Sequence, residues 1–421
     1  MIYNNQESIL GFVNRRLKKI KKANDMISYF AVFEKTPGYY LIRSHLNKIY
    51  FFNFFISIFK HFIDIFNSKV SFKNTIRNNK NYNQIIVSWA FSNNFDKTGV
   101  YQDKYLKKKS SDDTNIVWLL IYLDKNLPDK ISDNIILVYR DKSIFKKCLF
   151  FFCYIFQCLK REYLTLSFFK KLNSFSSLSL QVLKIMNQKI DCTLLSKVLI
   201  VYEGQPFQKD LIEYFKKKKE SINVQGYDHS APPPLPLHLI YDQSSPDELL
   251  ITGTSQKKFY SEKLRWPPEK LKIIKTLRFN SETKDFYLNK IFLPYELRSL
   301  KVYLSSIKNL IETSQINLKS LKIKNHPLQS KSKIHLKLIN DIKSIIEFSD
   351  LKNKEIQNSS IFFDQTTAVI VALDLGVTCY HICSDPIFDS YTSELWENIK
   401  VEKVNNNLFK YSLNKTNTFL S

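Results

Sequence analysis

A glutamate at the turn between a strand and a helix can accept a proton from a reacting hydroxyl, and the sequence places one in Tyr202-Glu203-Gly204-Gln205-Pro206. The apolar run Lys197 to Val201 precedes it. Pro206 fits the first turn of a helix, because its missing N–H has no partner there and its φ is already helical. A carboxylate in that position also favours the positive end of a helix, so general base and helix-end charge are both open readings. A second segment, Gly226-Tyr227-Asp228-His229-Ser230, follows the run Ile222 to Gln225 and leads into Pro232-Pro233-Pro234-Leu235-Pro236. The prolines bar both helix and central strand, leaving a stiff loop that is either a rigid turn or a ligand for a partner domain. Gly204 and His229 are the candidate substrate-binding residues here.

Two further motifs lie near the C-terminus. In Lys324-Asn325-His326-Pro327 the proline holds His326 extended, so its imidazole projects from the end of the run Leu321 to Ile323 and can donate to a phosphate. Asp364-Gln365-Thr366-Thr367 stands between the run Ile361 to Phe363 and a helix beginning near Ala368. Threonines there cap exposed N–H groups, and the same groups with two hydroxyls make an anion site. Cys379, His381 and Cys383 alternate along an apolar run without a second ligand pair, so no metal is expected.

These residues need strands to carry them. From residue 85 onward short apolar runs alternate with amphipathic stretches: Ile85 to Ala90, Ile116 to Leu123, Ile135 to Tyr139, Val198 to Tyr202, Ile222 to Gln225 and Leu249 to Thr252. That is the pattern of parallel strands covered on both faces. The pattern loosens over 270–298 and a second series follows, with strands expected at Val302 to Ser305, Leu321 to Lys324, Ile361 to Phe363 and Val377 to His381, and helices at Ile334 to Phe348 and Ala368 to Leu375. The expectation is an α/β chain: a basic helical extension over 1–80, a Rossmann-like domain over 81–280, and a second Rossmann-like domain over 281–421. The carboxyl ends of the two sheets then face each other across a cleft.

Composition narrows the function. The 421 residues are 44% apolar, a core-forming proportion, with a formal net charge of +24. Only nine of the 63 basic residues are Arg, the side chain best suited to forked contacts with phosphates and bases, and the lysine runs are scattered. Nucleic acid is therefore not the expected partner. Six cysteines without paired spacing, and no cleavable signal at the start, point to the reducing cytoplasm. Tyr50 to Phe66 and Cys148 to Leu159 are too polar or too short to span a bilayer. They read first as buried aromatic helices and second as a surface meeting anionic lipid at the inner membrane face.

The order acidic-Gly, His-Pro and hydroxyl pair resembles that of bacterial sialyltransferases, polysialyltransferases and capsule Kdo transferases of the GT-B type. Trp89 to Tyr105, Tyr202 to Gln208 and Gly226 to Ser230 are also similar to a bacterial surface-carbohydrate biosynthesis family. The resemblance, over roughly residues 85 to 385, implies a GT-B-like fold, with 81–280 as the acceptor-side domain and 281–421 as the nucleotide-sugar-binding one. It also implies a metal-independent transfer, inverting in outcome and needing no cofactor, of a sugar such as a nonulosonate from a CMP donor to a glycan or lipid-linked glycan acceptor. Glu203 matches the general base, His326 the donor-phosphate contact, and Thr366 and Thr367 the phosphate pair, with Lys324 beside them. The motif here is Tyr-Glu-Gly rather than two acids and Gly, and the pair is Thr-Thr rather than Ser-Ser. A non-catalytic basic binding protein, or a degenerate transferase serving as a scaffold, is the alternative.

Overall fold

The computed structural model describes residues 2–19, 37–74, 76, 82–161, 174–278, 283–313, 321–326, 329–347 and 358–414. Strand β3, Ile116–Tyr122, is apolar along its length and buried at every position, as a parallel strand covered on both faces must be. It lies within an eight-stranded sheet with β1 (Val70–Asn74), β2 (Gln84–Ala90), β4 (Ile135–Arg140), β5 (Lys197–Val201), β6 (Asn223–Tyr227), β7 (Glu248–Ile251) and β8 (Leu271–Ile273). The order is β1-β4-β3-β2-β5-β6-β7-β8, with β1 antiparallel to β4 and every other pair parallel. From β2 the chain winds outward through β3 and β4, then returns and winds the other way from β5. The carboxyl ends of β2 and β5 thus flank a topological switch point, where open α/β sheets take ligands.

A second, six-stranded sheet contains β9 (Lys290–Phe292), β10 (Lys322–Lys324), β11 (Ser359–Phe363), β12 (Thr378–Ile382), β13 (Ile399–Lys403) and β14 (Leu408–Leu413), in the order β10-β9-β11-β12-β14-β13. Its first four members are parallel, and β14 and β13 continue it antiparallel. Its switch point lies between β9 and β11.

The described helices are α1 (Ile2–Lys19), α2 (Pro37–Leu46), α3 (Tyr50–Asn67), α4 (Ile144–Arg161), α5 (Ser174–Lys189), α6 (Pro206–Lys218), α7 (Thr254–Glu262), α8 (Lys284–Tyr287), α9 (Leu300–Glu312), α10 (Lys333–Glu347), α11 (Ala368–Asp374) and α12 (Pro386–Asp389). Alternation along β11 and β12 divides the second sheet's core. Ile361, Phe363, Tyr380 and Ile382 pack with Tyr303 and Ile307 of α9 and with Leu338 and Ile342 of α10. Phe362 and Cys379, on the opposite face, join one apolar cluster that continues into the first sheet.

The two carboxyl edges meet. The Tyr391 hydroxyl donates to the Pro232 carbonyl at 2.8 Å, the Trp396 indole N–H donates to the Pro234 carbonyl at 3.0 Å, and the Trp396 ring stacks on Phe259 at 4.1 Å. The segment leaving β12 therefore holds the proline loop leaving β6. Two α/β units turned edge to edge are the GT-B-like arrangement expected from the sequence.

Several local expectations are corrected. Val302 to Ser305 lie in α9, not in a strand: the Ser299 hydroxyl accepts from the Val302 N–H at 3.4 Å and starts a helix with one buried stripe. The loosened stretch 270–298 contains α8 and β9, and β9 stands next to the centre of the second sheet. Three residues are too few to show a period. Within 1–80, β1 belongs to the first sheet, and α1 and α2 brace the second unit. The buried Gln6 amide donates to the Ile387 and Ser390 carbonyls at 3.0 and 2.8 Å, and Arg43 pairs with Asp385 at 2.9 Å. The aromatic helices α3 and α4 are not buried along their length: Phe52 and Phe59 on α3, and Phe145 and Phe152 on α4, lie open to solvent. Each helix buries only the face that meets its neighbours.

Candidate functional site

Glu203 directly follows β5, at the switch point of the first sheet. Gln208, one turn into α6, fixes the turn. Its side-chain carbonyl accepts from the Glu203 N–H at 2.9 Å and from the Gln205 N–H at 3.2 Å, while its amide donates to the Val201 carbonyl at 2.8 Å. Gly204 has φ +61°, and a Cβ there would run into the backbone carbonyl of His238, so only glycine lets the chain pass. Gly204→Ala is expected to cost of order 1–3 kcal/mol through left-handed backbone strain and this collision. Chemical denaturation measures the loss, and an unchanged midpoint would show that the turn tolerates a side chain.

The Glu203 side chain keeps 33% of its surface accessible, yet walls of protein press on it. Burial pushes its carboxyl up to about 7; the Gln205 amide, donating to Oε2 at 2.7 Å, opposes the rise, Asp228 adds to it and Arg278 opposes it. His229 Nε2 lies 3.6 Å from Glu203 Oε1. Burial, helped by Arg278, lowers His229 to about 3, so the imidazole is neutral near pH 7. Its Nδ1 is buried without a hydrogen bond among the described residues. Asp228 is buried too and pushed up to about 6 by desolvation, against the Tyr260 hydroxyl that donates to it at 2.7 Å.

The loop after β2 closes over this group. Asp103, fully buried, accepts from the Ser88 and Tyr101 hydroxyls at 2.5 and 2.8 Å and from the backbone N–H groups of Tyr105 and Leu106 at 2.7 and 2.6 Å. That lock sets the Tyr105 ring edge-on against His229 at 4.3 Å, with the Arg278 guanidinium 5.6 Å from the centre of the Tyr105 ring. Burial, with Glu203 as the next contributor, raises the Tyr105 hydroxyl to about 12. Glu203, Gly204 and His229 thus lie together at the end of β5 and β6. Tyr105, Asp228 and Arg278 join them without having been singled out, although Tyr105 and Asp228 lie within the quoted motifs.

In the second unit, Lys324 ends β10 and is exposed, and His326 follows half-buried, its ring 5.2 Å from that of Tyr295. Burial lowers the His326 pKa, and His335 lowers it further. Thr366 and Thr367 follow β11 at this sheet's switch point. The Thr366 hydroxyl accepts from the Ala368 N–H at 3.3 Å, and the Thr367 side chain makes no cap bond to the seven-residue α11. β9 separates β10 from β11, so about 10 Å, two strand spacings, lies between the strand ends that lead into His326 and Thr366. The four phosphate-site candidates lie at the carboxyl edge of one sheet.

A buried group lies at the same edge, of which sequence reading quoted Asp364 within a motif but missed Arg298 and Asp389. Asp364, with φ +47°, accepts from the Tyr303 hydroxyl and from the Ser384 N–H at 2.7 Å. Arg298 pairs with the fully buried Asp389 at 2.8 Å. Neither residue lies in a recognisable motif, and Arg298 is drawn in only by the path of the chain after β9. Cys383 Sγ lies 3.5 Å from His381 Nδ1, and His381 Nε2 lies 2.5 Å from the Asp364 carbonyl oxygen. Among the described residues no group of three or more His, Cys, Asp or Glu is arranged to hold a metal ion.

No family model matches the chain, and no curated protein does. Among solved structures it is similar to α,α-trehalose 6-phosphate synthase from Burkholderia multivorans, with 8% identity, a TM-score of 0.36, and 67% of this chain and 76% of that one covered. It is also similar to a glycosyltransferase from Rickettsia africae, with 11% identity, a TM-score of 0.35, and coverages of 75% and 82%.

Proposed function

We propose that the chain is a glycosyltransferase of the two-sheet GT-B type, moving a sugar from a nucleotide donor to a hydroxyl of a glycan or lipid-linked acceptor. The observation that carries this reading is Glu203: a carboxyl near pH 7 in its titration, one-third open, at the switch point of one sheet and on the side that meets the other. A general base works best when its pKa lies near the working pH. Glu203 takes the acceptor proton as the acceptor oxygen bonds to the anomeric carbon. The bond from that carbon to the donor phosphate breaks, and its electron pair leaves with the phosphate. Attack from the face opposite the leaving group inverts the anomeric centre.

The donor phosphate is assigned to the carboxyl edge of the second sheet, to His326, Thr366 and Thr367 with Lys324 beside them. Neutral hydrogen bonds of about 0.5–1.5 kcal/mol each, stronger when the acceptor is charged, orient a leaving phosphate without holding a nucleotide alone. The order of motifs favours a nonulosonate from a CMP donor and a surface polysaccharide as acceptor. Calorimetric titration of CMP, UMP and GMP tests the assignment: one nucleotide is expected to bind, and His326→Ala to weaken it roughly tenfold to a hundredfold. Equal affinity in both proteins removes His326 from the site, and no binding by the wild type overturns the donor reading.

A further inference from the structure

Helices α3 and α4 carry matching apolar stripes on their outer faces. On α3, Phe52, Ile56, Phe59 and Ile63 recur at intervals of four, three and four residues, and are 44 to 73% exposed. On α4, Phe145, Leu149 and Phe152 recur at intervals of four and three residues, and are 59 to 78% exposed. Such spacing places each set along one side of its helix. The helices pack antiparallel, with Lys147 Nζ on Asn67 Oδ1 at 3.2 Å and the Phe151 ring 6.4 Å from that of Phe62. Phe59 lies one turn before Phe62 and Phe152 follows Phe151, so both stripes adjoin the seam.

An apolar face of this size on a basic chain is not covered by any described element. Among the described side chains of residues 48–67 and 141–157, five lysines stand against Asp64 and Asp141. Asp141 is buried, receives the Ser143 N–H at 2.9 Å at the turn into α4, and has the Lys146 ammonium, itself 62% exposed, at 3.7 Å. Lys60 is exposed between Ile56 and Ile63 on α3, and Lys146 beside Phe145 on α4. The cores of protein interfaces are depleted in lysine, and a symmetric second copy would set this basic fringe against itself. Phenylalanines flanked by lysines suit a bilayer surface, the rings entering the acyl boundary while the ammonium groups meet anionic headgroups. No described helix is long and apolar enough to cross a membrane, so the contact is with one surface.

We propose that the outer faces of α3 and α4 bind the surface of an anionic lipid bilayer. This stands independently of the role given to Glu203.

The test is co-sedimentation of the full chain with vesicles of phosphatidylcholine alone and of phosphatidylcholine mixed with phosphatidylglycerol. Binding at least about tenfold tighter to the anionic vesicles is expected, weakening as salt rises. Phe59→Asp with Phe152→Asp should weaken it by a further factor of about ten or more. Lys60→Glu with Lys146→Glu should remove the preference for anionic lipid. Both pairs alter solvent-facing positions, and unchanged melting curves confirm that they fold. Absence of anionic-vesicle binding by the wild type, or equal binding by the phenylalanine variant, overturns the proposal. So does a dimer in sedimentation velocity that the same variant abolishes while the wild type ignores vesicles.

Discussion

Glu203→Gln should lower sugar transfer by about 10²–10⁴-fold while leaving donor binding near the wild-type value, because the amide keeps the shape of the side chain and loses only the capacity to accept a proton. The wild-type pH profile sharpens the expectation. A general base works only when deprotonated, so the rate should rise tenfold per pH unit on the acid side and level off above a midpoint near the Glu203 value of about 7. In Glu203→Gln that limb should vanish. The linkage to stability has a definite sign as well. The folded protein holds the Glu203 proton more tightly than the unfolded chain does, so this group's stabilising contribution is complete below the unfolded value near 4.5 and is lost as pH rises through about 7. Transfer kinetics across that range, with a donor chosen by the nucleotide titration, provide the measurement. Wild-type-like turnover in Glu203→Gln would reduce Glu203 to a helix-end carboxylate.

Above about pH 8, where Asp389 is ionised, Arg298→Ala should destabilise the protein by roughly 3–5 kcal/mol, the usual consequence of removing one partner from a buried ion pair. The Arg298 and Asp389 side chains are only 9% and 0% exposed and 2.8 Å apart, and the guanidinium opposes burial and the nearby Asp364 and Asp385, which together raise the Asp389 carboxyl to about 8. Without the guanidinium, folded Asp389 should retain its proton to still higher pH. The deficit should therefore be smaller in acid and grow as pH rises. Denaturant unfolding at several pH values reads both features, and Arg298→Ala combined with Asp389→Asn should recover part of the loss. A deficit below about 1 kcal/mol would mean that water or another cation serves Asp389 equally well.

Much of the frame is a property of the sequence itself. Apolar runs such as Ile116 to Leu123 and Val198 to Tyr202 are local, continuous and long enough to fix strands whatever surrounds them, and they emerge as β3 and β5. Pro206 behind Gly204 likewise determines a tight strand-to-helix turn, because one residue pre-sets a helical φ and the other tolerates φ +61°. That is why Glu203 was legible as a candidate base.

Tertiary structure decided the rest. β9 is three residues long, and it becomes a strand because β10 and β11 pair with it on either side. Val302 to Ser305 is apolar enough for a strand and becomes helix because its buried stripe, with Tyr303 and Ile307, fits the outer face of the second sheet. The company kept by Glu203 is equally non-local. Tyr105 reaches His229 only because Asp103 pins the loop after β2, and β2 borders β5 only through the reversal of strand order. Burial of Phe59 or Phe152 could not be read from an aromatic segment, since a helix shows its apolar side to the core or to the outside according to which neighbours the fold supplies. The sequence determined the longer apolar strands, β5 among them, and the turn that carries the carboxylate; the packing of distant segments set its proton affinity and its neighbours, because desolvation and charge act through space rather than along the chain.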